Sequence, residues 1–208
     1  MSGSAPHGLD ERAAALLRFW FGDDLEAPSV TPDIVRRWFA GGAAMDAECA
    51  RHFGDDLAAA ARGELDGWVA TPRGRLALVL LLDQLSRNVW RATPAAFAQD
   101  AAARRLAAEA VERGEDRVLT APQRVFLYLP FEHGESLADQ RQSVALFEAL
   151  ARDVPEPDRA LFEHFADYAR RHAVVIERFG RFPHRNAVLG RESTTEELAF
   201  LAEPGSSF

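Results

Sequence analysis

Two short stretches of the chain carry the side-chain types that proton-transfer chemistry requires. His133 and Glu135 flank a glycine, and His184 lies in a second stretch, residues 179–191. Imidazole and carboxylate groups can be tuned to exchange protons near neutral pH, so these three residues are the candidate catalytic groups. The simpler interpretation of Glu135 is structural, because a carboxylate at the start of a helix favours the positive end of the helix dipole.

The stretch 179–191, FGRFPHRNAVLGR, is predicted to be a loop that packs into the body of the protein. Gly180 and Pro183 interrupt regular structure, while the phenylalanine, valine and leucine side chains of the stretch favour burial. Its polar side chains are candidate ligand contacts, since guanidinium groups bind carboxylate and phosphate in a two-pronged way. The alternative is that the arginines satisfy carbonyl groups of a buried loop. The candidates in this loop are Arg181, Arg185 and Asn186.

A second group of candidates follows the most apolar segment of the chain. Residues 71–90 are predicted to form one helix, because Thr71 is a good N-cap and Pro72 suits the first helical position. The run Leu76 to Leu82 is apolar on nearly every side of that helix, which is typical of a buried central helix. The helix becomes polar towards its end, and this change predicts a pocket there.

The polar end of that helix contributes four candidate ligand-binding residues. Asp83, Arg87 and Arg91 are spaced four apart, so they share one face if the helix continues that far. Asn88 lies in a parallel row beside them. A buried carboxylate needs a partner, so we expect Asp83 to accept a hydrogen bond from Arg87 or Arg185. The alternative interpretation is a purely internal Asp83–Arg87 ion pair.

The pattern along the chain predicts an all-α protein of about nine helices in antiparallel pairs, forming a single domain over residues 1–208. Residues 1–8 are expected to be a flexible N-terminal tail. The helix after Thr120 is expected to end before Pro130, which leaves residues 128–135 as a loop. Helix start signals recur along the sequence, at Asp10, Thr31–Pro32, Thr71–Pro72, Thr93–Pro94, Thr120 with Gln123, and Ser193 with Glu196.

Composition and charge exclude several classes of partner and cofactor. The net charge of −8 argues against nucleic-acid binding, which needs a basic footprint. The longest apolar run is too short to span a membrane. The single Cys49 is expected to be a small core residue in a reducing compartment, and the first residues lack the pattern of a signal peptide, so we predict a cytoplasmic protein. No phosphate-binding glycine loop or dinucleotide fingerprint is present, so no cofactor is predicted.

His172 is a further candidate ligand-binding residue, in the last long predicted helix. A metal site built from His133, Glu135, His172 and His184 would use suitable ligand types. No pair among them has the spacing of a known metal motif such as His-Glu-x-x-His, so no metal is predicted.

Several separate motifs together resemble the family catalogued as domain of unknown function 924. The family usually has Phe-Pro where this chain has Leu85-Ser86, and His-Ser-Glu-Asp where it has residues 133–136. The resemblance covers nearly the whole chain and implies a tetratricopeptide-like helical fold, but no particular activity. The matching motifs are Phe19-Trp20-Phe21-Gly22, Asp83-Gln84 with Arg87-Asn88 and Arg91, Ala96-Phe97-Ala98-Gln99-Asp100, Tyr128-Leu129-Pro130-Phe131-Glu132-His133, Gln140, His172 and FGRFPHRN followed by LGR.

Two functions from different classes fit these residues. The first is a site for an anionic small molecule, in a protein that either binds it or also acts on it. In that case we expect a cavity lined by His133, Glu135, His184, Arg185 and at least one of the other arginines (Arg87, Arg91, Arg181). The second is a protein-interaction scaffold with a protein partner, in which the polar motifs are structural. Fully paired arginines would favour the scaffold.

Overall fold

The computed structural model describes residues 8–40 and 42–206, which contain ten α-helices and no strand, and two of the ten belong to one continuous helical run. The all-α prediction is therefore confirmed. The predicted tail falls outside the described residues, apart from Gly8. The α-helices are α1 Glu11–Phe21, α2 Pro32–Ala40, α3 Gly42–Ala61, α4 Pro72–Val79, α5 Ser86–Val89, α6 Asp100–Glu112, α7 Ala121–Glu132, α8 Leu137–Asp153, α9 Glu156–Phe179 and α10 Thr195–Leu201.

The backbone of the described residues groups into two compact units. Unit 1 contains the chain up to Arg91 together with Ala95–Pro130, and unit 2 contains Ala92–Pro94 together with the chain from Phe131 onwards. The organisation of residues 1–208 as one domain stays a prediction, and so does the tetratricopeptide-like arrangement. Within the part of the chain that the structure describes, no helix is both long enough and apolar enough to cross a membrane.

Two of the predicted helix starts in unit 1 are built as expected. The Asp10 carboxylate accepts hydrogen bonds from the Arg12 and Ala13 backbone N–H groups and caps α1. The Thr71 hydroxyl accepts from the Gly74 N–H at 3.0 Å and caps α4. A Cβ atom at Gly74 would lie 2.1 Å from the Trp68 carbonyl oxygen, so only glycine lets α4 begin this close to the preceding turn.

The central helical run of unit 1 is buried as predicted, but it is not α-helical throughout. Between α4 and α5, residues Leu80–Leu85 form a π-helical turn, in which the Ser86 N–H donates to the Leu81 carbonyl five residues earlier. Leu76 to Leu82 are all nearly or fully buried. α4 packs against α1 and α6, and the π turn packs against α3. Such turns occur often at functional sites.

Unit 2 is built around the helix pair α8 and α9, which are joined by Val154 and Pro155. The inner face of α9 contributes Val175 and Ile176 to a small apolar core that also contains Phe182 from the following loop. α10 packs against the short 3-10 turn Pro183–Arg185 within that loop. The prediction that the loop is packed rather than loose is consistent with the full burial of Phe182.

Two predicted boundaries near the division between the units are wrong. Pro130 does not end a helix but lies inside the last turn of α7, which continues to Glu132. A proline so close to the helix end removes only one backbone hydrogen bond, and the buried side chains of Leu129 and Phe131 hold the turn in place. The predicted loop 128–135 is consequently only the four residues 133–136.

Two predicted helix starts are also displaced. The Thr93–Pro94 signal begins a 3-10 turn, Pro94–Phe97, and α6 starts only at Asp100. The second capping box is one residue later than predicted: the Thr194 hydroxyl accepts from the Glu197 N–H, and the Glu197 carboxylate accepts from the Thr194 N–H. Ser193 instead accepts a hydrogen bond from the Asn186 side chain.

Candidate functional site

The polar end of the central run in unit 1 is neutralised by carboxylates of its own unit. Asp83 is fully buried, and its carboxylate lies 3.4 Å from the Arg87 guanidinium, which is the ion pair of the alternative interpretation. Arg87 donates a hydrogen bond to the Asp83 backbone carbonyl oxygen, and Gln84 donates to the Asp83 carboxylate at 2.6 Å. A hydrogen bond from an arginine to that carboxylate stays a prediction. The Arg87 guanidinium also forms two parallel hydrogen bonds with Asp100, at 2.9 and 3.0 Å. Burial opposes the charge on Arg87, but Asp83 and Asp100 outweigh burial and raise its pKa above the usual value.

The next two candidates in unit 1 share a different carboxylate. Asn88 donates to Asp46 at 2.8 Å, and Arg91 forms two hydrogen bonds with the same carboxylate at 2.5 and 2.7 Å. These bonds, with that of Arg91 first, lower the pKa of Asp46 despite its partial burial. Arg91 lies beyond the end of α5, so it does not continue the face of Asp83 and Arg87.

The loop in unit 2 is held in shape by two arginine–carboxylate pairs. Arg181 forms two hydrogen bonds with the buried Glu197 of α10, at 2.6 and 2.8 Å. Arg191 forms two with Glu135, at 2.7 and 2.9 Å, and it also donates to the Phe182 carbonyl and the Asn186 side-chain oxygen. Both arginines therefore hold together segments that are distant in sequence.

Glu135 is a structural acceptor in this arrangement. Besides Arg191, the Phe182 backbone N–H donates to its carboxylate at 2.8 Å. Partial burial would raise the pKa of Glu135, but the hydrogen bonds from Arg191 and from the Phe182 N–H lower it overall. A carboxylate with a lowered pKa is a weak base, which makes Glu135 a poorer proton acceptor than its sequence context suggests.

The remaining candidates of unit 2 gather around one buried ring, that of Phe182, and we call them the histidine cluster: His133, His172, Phe182, His184 and Arg185. The rings of His172 and His184 have centroids 5.5 and 5.7 Å from that of Phe182. The Arg185 guanidinium lies 4.6 Å from the Phe182 centroid, in cation–π geometry. His133 joins through His172, with ring centroids 6.5 Å apart.

His172 is the deepest imidazole of the cluster and is held neutral. It is 4% exposed, and burial lowers its pKa to about 3, with smaller contributions from the positive charges of its neighbours His133, Arg185 and His184. Its Nδ1 lies 2.9 Å from the Tyr168 carbonyl oxygen and 3.4 Å from the Glu132 carboxylate. In a neutral ring this contact places the proton on Nδ1, so Nε2 is the nitrogen that can accept.

The predicted site residues thus fall into two groups, one in each unit. Asp83, Arg87, Asn88 and Arg91 belong to unit 1, whereas His133, Glu135, His172, Arg181, His184, Arg185 and Asn186 belong to unit 2. Their convergence on one cavity stays a prediction. Four carboxylate partners were not predicted as site residues, and only one of them, Glu132, is adjacent in sequence to a candidate, His133. The four are Asp46, Asp100, Glu132 and Glu197.

No group of three or more metal-ligating side chains is assembled within residues 8–40 and 42–206. The Cys49 thiol is a poor nucleophile because of its burial and its raised pKa. Cys49 is fully buried in α3, and burial together with the nearby charges of Asp46 and Glu48 raises its pKa to about 11. The thiol is therefore protonated near neutral pH, which agrees with its predicted role as a small core residue.

The fold and the cluster define an all-α protein in which histidine and arginine side chains from α9, from the turn before α8 and from the loop after α9 gather around one buried phenylalanine. The chain belongs to the family described as bacterial protein of unknown function (DUF924), whose model matches residues 16–205. It is also similar to the solved structure of a protein of unknown function, ATU0120, from Agrobacterium tumefaciens. That similarity has 40% sequence identity and a TM-score of 0.76, and it covers 91% of this chain and 96% of the other. No curated protein matches the chain.

Proposed function

We propose that this protein binds an anionic small molecule at the histidine cluster of unit 2. The observation that carries the proposal is the placement of Arg185, which is 6% exposed, stacked on Phe182 and accompanied by three imidazoles. The guanidinium and the imidazoles offer hydrogen-bond donors around one buried aromatic side chain, and the buried Glu132 carboxylate lies 3.4 Å from His172. Carboxylate and phosphate groups are the ligands that such donors favour.

The other arginines of unit 2 support the assignment of Arg185 by their different roles. Arg181 and Arg191 are engaged by Glu197 and Glu135 and fix the loop around the cluster. The Arg185 guanidinium lies over the Phe182 ring, 4.6 Å from its centroid, and this contact limits the movement of the guanidinium. We therefore propose that Arg181 and Arg191 fix the shape of the loop and that Arg185 contacts the ligand.

The cluster also contains the groups for proton transfer, if the bound molecule is a substrate. His133 and His184 are the proposed proton donors and acceptors. His172, with its lowered pKa, accepts a hydrogen bond at Nε2 rather than supplying a proton near neutral pH. Because Glu135 is committed to Arg191 and the Phe182 N–H, we give it a positioning role in this proposal. A cytoplasmic location is part of the same proposal and is supported by the single buried cysteine.

A second candidate function, the protein-interaction scaffold, is favoured by one specific observation. Arg87, Arg91 and Arg181 each form a two-pronged pair with a carboxylate of their own unit, as structural arginines would. Under this alternative, the arginine–carboxylate pairs serve only the body of the protein, and a protein partner rather than a small anion is bound.

Thermal unfolding in the presence of anions distinguishes the two functions. Inorganic phosphate, sulfate and citrate are titrated against the parent and against Arg185→Gln, with Arg141→Ala as the control because Arg141 is an exposed arginine of α8. We expect at least one anion to stabilise the parent and the control, by about 2.7 kcal/mol at one hundred times its dissociation constant. Arg185→Gln should lose that stabilisation.

A conservative variant covers the case in which Arg185→Gln does not fold. Arg185→Lys keeps the charge but lacks the planar fork, so we expect it to fold and to respond more weakly to the same anion. No stabilisation of the parent by any of the three anions, or an equal response in all variants, would favour the scaffold.

A further inference from the structure

Two buried side chains on α8 each have an oxygen atom that forms no hydrogen bond within the described part of the chain. Gln140 and Ser143 are both 0% exposed, and they lie three residues apart, on one face of α8. Among residues 8–40 and 42–206, no group forms a hydrogen bond with Gln140 Oε1 or with Ser143 Oγ. Buried polar atoms of this kind are rare, because each costs about 1–3 kcal/mol when unsatisfied.

The orientation of the Gln140 amide is fixed by its other end. Its Nε2 donates to the carbonyl oxygens of Glu132 and Gly134, both at 2.7 Å, and approaches that of Phe131 at 3.5 Å. A flipped amide would place Oε1 against these three acceptors, which is electrostatically unfavourable. Oε1 must therefore face away from the end of α7, and it can only accept a hydrogen bond.

The Ser143 hydroxyl adds a group that can donate or accept. A serine in a helix commonly turns its hydroxyl to the carbonyl four residues earlier, but Ser143 Oγ makes no such bond within the described chain. Side chains three apart on a helix have Cβ atoms about 5–6 Å from each other, so one oxygen placed between them can reach both at normal hydrogen-bond distance.

We propose that Gln140 Oε1 and Ser143 Oγ form a buried binding site for a single O–H group. The site borders the turn that carries His133, because the carbonyls held by Gln140 belong to the residues on either side of that histidine. An O–H group donates to Gln140 Oε1 and accepts from the Ser143 hydroxyl, which satisfies both side chains. The O–H belongs either to an ordered water or to a hydroxyl of the molecule bound at the histidine cluster. Only the second source rests on the function proposed above.

The first test is the sign of the stability change in Ser143→Ala. If Ser143 Oγ binds an O–H group, the variant breaks that bond and lowers Tm by about 2–4 °C. If the hydroxyl has no role, its removal leaves Tm unchanged or raises it, and the higher helix propensity of alanine acts in that same direction. An unchanged or raised Tm in the ligand-free protein, with no hydroxyl preference in the test below, would overturn the proposal.

A crystal structure of the ligand-free protein then identifies the source. A density peak about 2.7–3.2 Å from both Gln140 Oε1 and Ser143 Oγ assigns the O–H to water. A protein donor bonded to Oε1 in that crystal would refute the site.

Malate and succinate, which differ by one hydroxyl group, test the ligand as the source. If the ligand supplies the O–H, malate binds the parent about three- to tenfold more tightly than succinate, and Ser143→Ala reduces that difference. Equal binding together with a crystal that shows no peak at the site would reject both sources. Failure of both acids to bind would count against the proposed function alone, since a water peak would still support the site.

Discussion

Arg87 of unit 1 and Arg185 of unit 2 both lie over a phenylalanine ring, at 5.5 Å from Phe97 and 4.6 Å from Phe182. The Arg87 guanidinium also pairs with the carboxylates of Asp83 and Asp100, and the ring beneath Arg185 also contacts the imidazoles of His172 and His184. Two arginines with a similar aromatic contact thus lie in different surroundings. In unit 1 the arginine balances a buried negative charge, and in unit 2 it belongs to a cluster rich in groups that can carry positive charge.

This difference between the two arginines determines which measurement reports on each of them. Where the arginine balances a buried carboxylate, its removal should appear mainly as lost stability. Where it sits among imidazoles, its removal should appear mainly in ligand response. The predictions below test this contrast, in order of decreasing expected effect.

The largest effect is expected for Arg87→Ala. Its removal takes away the guanidinium that lies 3.4 Å from the fully buried Asp83 carboxylate, and breaking a buried ion pair costs about 3–5 kcal/mol. The free energy of unfolding, measured with urea, should fall by that amount. Arg91→Ala is the matched control: its side chain is 58% exposed, so we expect a cost of about 1 kcal/mol or less. Similar small losses in both variants would remove the basis for calling the unit 1 group structural.

Arg191→Ala should give the next largest loss, about 2 kcal/mol. The variant removes a two-pronged bond to Glu135 and the contacts with Phe182 and Asn186, and hydrogen bonds to charged groups contribute about 1.5–3 kcal/mol. Arg178→Ala, whose partner Glu196 is exposed, serves as the control and should lose at most about 1 kcal/mol. If the two variants lose equal stability in urea, Arg191 does not hold the loop.

The histidine cluster should make stability depend on pH. The pKa of His172 is lowered from 6.5 to about 3 in the folded protein, so the unfolded chain binds a proton first as the pH falls. The contribution of neutral His172 to the free energy of unfolding is therefore complete above about pH 6.5. It decreases as the pH falls towards 3, by roughly 1.4 kcal/mol per pH unit at most. Between pH 6.5 and 5 this amounts to roughly 1.5 kcal/mol.

The variant His172→Gln isolates this contribution. Urea unfolding at pH 6.5 and pH 5 should show a smaller loss in His172→Gln than in the parent. The exposed His52→Gln controls for removing an imidazole elsewhere. Above pH 5, the carboxylates Glu135 and Glu197, whose pKa values are lowered from 4.5, add little to the dependence. An unchanged pH dependence in His172→Gln would show that another group causes it.

The smallest expected effect concerns the helix that supports the loop. Thr194→Ala removes the N-cap of α10 and should cost about 1 kcal/mol. Ser193→Ala removes only the bond from Asn186 and should cost less. Thermal unfolding of the two variants decides the order. The reverse order would place the cap at Ser193, as the sequence pattern suggested.

The parts of the fold that could be predicted are those determined by neighbouring residues. Asp10 and Thr71 cap helices because the cap needs only the following three residues, and the run from Leu76 to Leu82 is buried because every face of it is apolar. The same uniformity explains why the π turn was missed. A helix that is apolar on every side has no polar face, so the spacing of apolar residues cannot show a change from an α-helical to a π-helical turn.

The errors arose where contacts between distant residues decide between two local alternatives. Ser193 with Glu196 and Thr194 with Glu197 are equally good capping boxes, but Glu197 also binds Arg181 of the loop, and that contact selects the second. Likewise, the sequence indicated that the arginines need partners, yet Asp46 lies 45 residues from Arg91. The residues next to Asp46 and Arg91 in the sequence do not indicate that these two side chains pair.

The π turn at Leu80–Leu85 has a further consequence for the length of this segment. A π turn holds one residue more than the α-helical turn it replaces, so it acts as a one-residue insertion within the helical run. Deleting one residue there would make the bond from the Ser86 N–H to the Leu81 carbonyl an ordinary α-helical bond, so the helix after it would keep its orientation. Arg87 and Asn88 would then still face Asp100 and Asp46. A regular α-helix of the present length would instead rotate these two side chains by about 100°, so the π turn is what keeps them on their carboxylate partners.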